Sequence, residues 1–319
     1  MKKISIALAS DENFVQHMGC LIASILSNSL ENEQFYFYVI DGGITEESKE
    51  KIRSLRSIRP FEIQFLALDL NRLAGLPLIE RFSMNTYSRL LLPELLPETN
   101  RILYLDCDMI VLSSLSELWD TDLEGNSLGV VLDFRELFEQ EWRNERIRLG
   151  VHGPAFNAGM LLLDLKKIRE QNLFQKVIFW LKEHQADIVL ADQDGLNVIF
   201  ENDRKMLPLR WNLLVTGFCH YQRKIRHADY LKAARNPAIL HYISILKPWH
   251  FFHTGGWREP YWHYLRMTPW KDYRVHGTLK DHVRRFLRQS TLNGMFRNWW
   301  KTTKTRLFGK KRKKCQVTK

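Results

Sequence analysis

Apolar and polar positions along the chain change their period several times, and each change predicts an element. "ISIALAS" (residues 4–10) is a short apolar run that reads as a strand. Over residues 14–26 the apolar positions fall at Met18, Leu21, Ile22 and Ile25, the spacing of one helix face. "FYFYVID" (35–41) is aromatic and β-branched, a second strand broken by Gly42 and Gly43. Residues 46–58 read as a polar helix with apolar punctuation, and "EIQFLAL" (62–68) alternates as a third strand. "TYSRLLLPELLP" (86–97) predicts a helix interrupted by Pro93. Strands are expected again at 102–105, 128–133 and 159–165. This alternation predicts an α/β fold with a mainly parallel central sheet, whose ligands bind beyond the carboxyl ends of the strands. Asp11, Asp41, Asp69, Asp106 and Asp133 stand at or just past those ends, which suggests an acidic rim. Asp is also a common turn residue, and that alone accounts for Asp41 and Asp69.

Composition narrows the class. The 319 residues are 45% hydrophobic and 26% charged, enough for one large α/β domain or two small ones. No apolar run approaches the roughly 18 to 20 residues of a membrane span. The apolar stretch Ile4 to Ala9 is shorter than the roughly 7 to 15 residues of a signal-peptide core, and Asp11 and Glu12 follow at once. Cys20, Cys107, Cys219 and Cys315 are scattered, which suits a reducing cytosol and neither a disulfide framework nor a structural zinc site. The net charge of +11 is uneven: residues 278–319 carry 14 Lys and Arg against one Asp. Of the 47 bases and 36 acids, 33 and 35 remain for the near-neutral body.

The chain has three Asp-x-Asp pairs among its 16 Asp, so the pattern alone says little. Asp120 and Asp122 run into the polar turn "LEGN" and read as solvated loop. Asp192 and Asp194 open a helical pattern, where acids favour the macrodipole without any ligand. Asp106 and Asp108 differ: "RILYLDCDMIVL" sets them between apolar segments at the end of a strand. In extended chain, side chains at i and i+2 share a face, so both carboxylates would converge on one point. Two hard oxygen donors suit Mn²⁺ or Mg²⁺. "AILHYISILKPWH" (238–250) offers His241 within another apolar run. Such a histidine is commonly a satisfied core residue; as a third ligand its imidazole would favour Mn²⁺.

"NTYSRLLLPELLP", "RILYLDCDMIVLSSLSELWDTDL", "FNAGMLLLDLKKIR", "ADQDGLNVIF" and "HYISILKPWH" follow in order. Together they resemble glycosyltransferase family 8, which includes bacterial lipopolysaccharide and lipooligosaccharide glucosyl- and galactosyltransferases and, more distantly, glycogenin. The likeness runs from about residue 3 to about residue 265. It implies a GT-A fold, a nucleotide-sugar donor (usually a UDP-sugar), Mn²⁺, and transfer with retention of anomeric configuration. It makes Asp106, Asp108 and His241 the metal ligands, in a centre that assists departure of UDP as a Lewis acid. It makes "ALASDENF" the uridine pocket: Ala9 and Asp11 for the uracil, Asn13 for the ribose, and Phe14 stacking where the family often has Tyr. Arg89 would bridge donor sugar and diphosphate. Asn157, Asp192 and Gln193 would hold the donor sugar hydroxyls, Cys107 and Ala158 would belong to the UDP-sugar site, and Lys247 would bind phosphate. Asp133 stands as an acceptor-side candidate. The chain departs from the family where a glycine commonly follows the metal histidine; Ser244 stands near that point and has less freedom in φ.

Retention by double displacement needs a carboxylate on the β-face of the sugar. The family's corresponding position is Gln193, and an amide is a poor nucleophile. The expectation is front-face attack through a short-lived oxocarbenium–UDP ion pair, with a covalent adduct on the neighbouring Asp192 as the alternative.

Residues 1–275 are therefore expected to be the catalytic domain and 276–319 a basic amphipathic tail. Leu279, Val283, Phe286 and Leu287 share one helical face, Met295, Phe296, Trp299 and Trp300 form another, and "KKRKK" (310–314) follows. This pattern suits an anionic membrane surface, where a lipid-linked oligosaccharide acceptor would lie, and places the protein in the cytoplasm, peripheral to the membrane. Basic residues with Trp also suit nucleic acid, which the five motifs argue against. Two other classes stand beside the transferase. A nucleotidyltransferase would need a Gly-rich loop after the first strand, which "ALASDENF" lacks; a non-catalytic sugar-nucleotide or membrane scaffold would not need the acid–histidine set.

Overall fold

The computed structural model describes residues 1–79, 84–137, 139–216 and 227–289. Its centre is a seven-stranded sheet in the order β3-β2-β1-β4-β7-β6-β8. These strands are β1 (Lys2–Ser10), β2 (Glu33–Asp41), β3 (Glu62–Ala67), β4 (Arg101–Leu105), β6 (Leu128–Leu132), β7 (Phe156–Asp164) and β8 (Arg204–Leu207). Pairing is parallel except at β7, which runs against both β4 and β6. The expected α/β class with a mainly parallel sheet is what the chain adopts. A three-stranded sheet, β5 (Met109–Val111), β10 (Ile239–Tyr242) and β9 (Leu213–Val215), stands beside it in the order β5-β10-β9.

The strands of the large sheet are apolar because both faces are covered. On one face Ile4, Ile6 and Leu8 pack against Met18, Leu21, Ile22 and Ile25 of the helix Val15–Ser27. On the other, Ala7, Ile102, Tyr104 and Leu161 pack against the helices Leu173–Glu183 and Asp192–Ile199. A third cluster, with Tyr230, Trp249 and Tyr261, covers the small sheet.

Three local readings differ. The helix expected over 46–58 ends at Arg53 and tightens into a 3₁₀ turn, Ser54–Ser57; Thr45 accepts from Ser48 N at its start. Over 86–97, Met84–Leu91 is 3₁₀ and only Leu92–Leu95 is α-helical. Pro93 sits in the first turn of that short helix, where its missing N–H costs nothing, so it starts the helix instead of interrupting one. Asp106 to Asp108 are not extended strand; they form the turn between β4 and β5. Among the described residues no helix is long and apolar enough to cross a membrane. The expected tail helix is present as Leu279–Gln289, with Leu279 and Val283 exposed and His282 edge-on to Phe251. The faces expected around Trp299 and at 310–314 lie outside the described residues.

Candidate metal and donor site

The turn after β4 carries the chain from the large sheet to the small one. Asp106 N donates to Gly159 O of β7 at 2.8 Å, and Asp108 O accepts from Tyr242 N of β10 at 3.1 Å. Between these bonds Cys107 turns inward and its Sγ donates to Ala9 O. The two carboxylates converge because the turn is pinned at both ends, not because the backbone is extended. Asp106, Asp108 and His241 bring ligand atoms within 4.8 Å of one another.

His241 is nearly fully buried, and its Nδ1 donates to Asn212 Oδ1 at 3.0 Å. That orients the ring and turns Nε2 toward Asp108 Oδ1, 3.1 Å away. Positive charge between the two satisfies that contact, either a proton shared by the pair or a bound cation that takes its place. Asp108 Oδ1 is also buried without a hydrogen-bond partner among the described residues. Gly159 makes room: a Cβ there would lie 2.3 Å from His241 Cε1 and 2.8 Å from Asp106 Oδ2. The donor set, the orphaned oxygen and the glycine gap fit a divalent cation.

Cations from the chain already surround the acids. Lys247 Nζ lies 2.7 Å from Asp108 Oδ2. Burial alone would raise the Asp108 carboxyl, but Lys247 and His241 outweigh it and hold it well below the ordinary carboxylate range. Arg89, buried over the Tyr104 ring, is shared three ways. Its Nη2 reaches Asp106 Oδ1 at 2.9 Å, its Nε reaches Asp192 Oδ2 at 2.9 Å, and its Nη1 donates to Ala158 O. Burial pushes the Asp192 carboxyl up to about 7 against the pull of Arg89, and Asp106 adds to the rise.

Gln193 is held at both ends of its amide. Oε1 accepts from Asn157 Nδ2 at 3.2 Å and from Ala158 N at 3.1 Å, and Nε2 donates to Asp133 Oδ2 at 3.3 Å. Asn157 Oδ1 accepts from Asn212 Nδ2 at 2.9 Å, so hydrogen bonds run unbroken from His241 through Asn212 and Asn157 to Gln193. Asp133 is fully buried and paired with Arg135 through two bonds, at 2.5 and 2.8 Å. Asp192 and Gln193 open their helix immediately after Ala191, whose φ of 53° and ψ of −129° are strained for a residue with a Cβ. Such a residue costs about 1–3 kcal/mol.

The structure thus joins Arg89, Asp106, Asp108, Asn157, Ala158, Asp192, Gln193, His241, Lys247 and Asp133 in one contact network. Asp11 Oδ1 accepts from Phe14 N, Asn13 is exposed, and Phe14, 40% exposed, stands edge-on to Trp249. They lie beyond the end of β1, which Cys107 ties to the acidic turn. Ser244 donates to Leu246 O in the loop that carries Lys247. Sequence reasoning missed Asn212, Gly159 and Tyr104, whose hydroxyl donates to Asp106 Oδ1. Only Gly159 left a signal: a glycine inside a strand marks close approach of another group.

The family profile described as Glycosyl transferase family 8 matches residues 5–252. General stress protein A of Bacillus subtilis is 30% identical over 272 residues, 83% of this chain and 94% of its own. The lipopolysaccharide 1,3-galactosyltransferase of Salmonella typhimurium is 26% identical over 91% of this chain and 86% of its own. The crystal structure of galactosyltransferase LgtC in complex with donor and acceptor sugar analogues superimposes with a TM-score of 0.73, at 30% identity, over 83% of this chain and 96% of that one. With the α/β architecture shared and the match running through the acidic turn, "FNAG" and the β10 histidine, the chain belongs to glycosyltransferase family 8.

Proposed function

We propose that this protein moves a hexose, glucose or galactose, from a UDP-sugar to a lipopolysaccharide or lipooligosaccharide core acceptor, with retention and with Mn²⁺. The observation that carries the reading is the Asp106–Asp108–His241 set beside the Arg89–Asp192–Gln193 network in a family 8 chain. A divalent ion held by those three residues supplies Lewis-acid neutralisation of the diphosphate. Lys247 adds a second positive charge for the leaving UDP, and Arg89 fixes the acids so that they do not repel each other. Phe14 offers an exposed ring for the uracil, next to Ala9, Asp11 and Asn13.

At the sugar end, Gln193 cannot act as a nucleophile, because both ends of its amide are engaged. Asp192 is tied to Arg89, and with a carboxyl near 7 it can give or take a hydrogen bond from a sugar hydroxyl. This favours front-face attack through an oxocarbenium–UDP ion pair, the phosphate oxygen helping to deprotonate the acceptor hydroxyl. Wild-type protein should then yield no glycosyl adduct by intact-protein mass spectrometry, whereas Gln193→Glu should yield one; an adduct trapped on wild-type Asp192 would establish double displacement instead. The exposed Leu279 and Val283, within the basic region after 276, suit docking on anionic lipid at the inner leaflet. Salt-sensitive binding to anionic but not neutral vesicles is the expected result, and binding to neither excludes it.

The deciding experiment measures UDP release from UDP-glucose and UDP-galactose with Mn²⁺ or EDTA, beside Asp108→Ala. Slow metal-dependent hydrolysis of one donor, lost in the variant, is expected. No turnover and no metal-dependent UDP binding would overturn the reading.

A further inference from the structure

We propose that Arg146 and Trp142, on the helix Gln140–Arg148, are positioning residues for the reaction at the donor sugar. The inference rests on the transferase reading above and concerns residues that touch neither the acidic turn nor the nucleotide end.

Asp194 is fully buried, and its two oxygens do different work. Oδ1 pairs with Arg146 Nη1. Oδ2 accepts from Val189 N at 2.8 Å and from Leu190 N at 2.9 Å. Those two amides belong to the turn that ends at strained Ala191, so the carboxylate bends the chain that delivers Asp192 and Gln193. Arg146 in turn lies over the Trp142 ring, 4.4 Å from its centroid. Arg135 also lies over Trp142, at 3.6 Å. Arg135 grips Asp133, and Asp133 accepts from the Gln193 amide. The contacts close on themselves: Gln193 is reached from one side through Asp133, Arg135 and Trp142, and from the other through Arg146, Asp194 and its own backbone.

A buried ion pair is a poor route to stability, because apolar residues of the same size often do better. This one is kept although Arg146 Nε and Nη2 and Trp142 Nε1 are buried with no hydrogen-bond partner among the described residues. A contact circuit of that kind is explained if its product is position: it sets the amide of Gln193 and the carboxylate of Asp192 where a sugar must meet them. The metal ligands and Lys247 share contacts with Gln193 and Asp192 but have anchors of their own on β7 and β10, so loosening the circuit weighs on chemistry more than on UDP binding.

The test uses the full chain with Mn²⁺ and whichever of UDP-glucose or UDP-galactose the wild type turns over. Trp142→Leu should lower kcat for UDP release about 10- to 100-fold, the scale of an ångström misplacement, while calorimetric UDP affinity stays within about twofold. Trp142→Phe, which keeps an aromatic face for both guanidinium groups, should restore most of the rate, and Arg146→Lys, which keeps the charge but not the planar group over Trp142, should fall between. An unchanged kcat in folded Trp142→Leu overturns the proposal. So does parallel loss of rate and UDP affinity that Trp142→Phe does not rescue, since that marks a merely structural tryptophan. A wild type that turns over neither donor would refute the underlying transferase reading instead.

Discussion

Gly159→Ala is the smallest change that should empty the metal site. The added Cβ would sit 2.3 Å from His241 Cε1, 2.8 Å from Asp106 Oδ2 and 2.9 Å from His241 Nδ1, where ordinary contact begins at 3.4 Å. The overlap with the imidazole is thus about 1.1 Å. The strand cannot yield, because Gly159 O accepts from Asp106 N at 2.8 Å and Gly159 N donates to Asn157 Oδ1 at 3.0 Å. The imidazole must therefore swing away, and it leaves Asn212 and Asp108 when it does. Overpacking a core by one carbon costs about 1–3 kcal/mol of stability. Mispositioning a metal ligand costs about 10- to 100-fold in affinity, or about 1.4–2.8 kcal/mol. Calorimetric titration with Mn²⁺ and a thermal melt separate these two effects. Gly129→Ala is the control: the nearest atoms to its Cβ belong to the side chains of Leu123, Leu207 and Leu162, at 3.0 to 3.3 Å, so it should lower the melting temperature and leave ion affinity alone. Gly159→Ala binding Mn²⁺ as tightly as wild type would refute the claim that this glycine makes room for the ligand.

Lys247 and a divalent ion compete for Asp108, so Lys247→Met should tighten Mn²⁺ binding by the protein alone several-fold yet weaken UDP binding about tenfold, the cost of one charge-assisted bond; calorimetry reads both, and weaker Mn²⁺ binding would contradict it. Arg89→Lys cannot reach Asp106, Asp192 and Ala158 O together, and an uncompensated buried carboxylate should cost about 3–5 kcal/mol in urea unfolding; an unchanged midpoint would show that the fork is dispensable. His17 lies flat on Trp249 at 3.6 Å, and burial lowers its pKa to about 3 from an ordinary 6.5. The unfolded chain then binds a proton that the folded one refuses, so stability falls as pH drops from 6.5 toward 3. Between pH 7.5 and 5 wild type should lose about 2 kcal/mol more than His17→Phe, and equal losses in urea unfolding would reject the assignment.

What the sequence disclosed follows from distance along the chain. Asp106 and Asp108 were visible because an apolar strand ran straight into them, and solvated acids do not stand in that setting. Asp41 and Asp69 were rightly read as turn formers, since each accepts backbone N–H groups two or three residues on. Asp194 was misjudged: helix-dipole logic describes a solvated acid, whereas this one is buried and its cation lies 48 residues away in sequence. Asn212 left no trace for the same reason, because its partners Asn157 and His241 are 55 and 29 residues distant. Local pattern reports which face a side chain takes, and it is silent on which remote group waits there.

The acidic turn also explains why one chain needs two sheets here. β4 ends in the large sheet at Leu105 and β5 begins in the small one at Met109, so the two acids, with Cys107 between them, make up the whole crossing. Met109 pairs with His241, which puts the imidazole on the small sheet directly opposite the crossing. Gly159, whose missing Cβ leaves the gap, belongs to the large sheet. Each sheet therefore supplies one wall of the site, and neither could close it alone. A shift of one sheet against the other by the width of a single methyl group would separate His241 from Asp106, so the packing of Met109, Val111 and Ile239 into the same core as β1 fixes ligand geometry as surely as any hydrogen bond. By linkage, a cation bound between the walls must in turn resist their separation, adding about 2.7 kcal/mol to unfolding at a hundredfold excess over its Kd. Mn²⁺ should accordingly raise the melting temperature of wild type and leave that of Asp108→Ala unchanged; an equal rise in both would place the binding elsewhere.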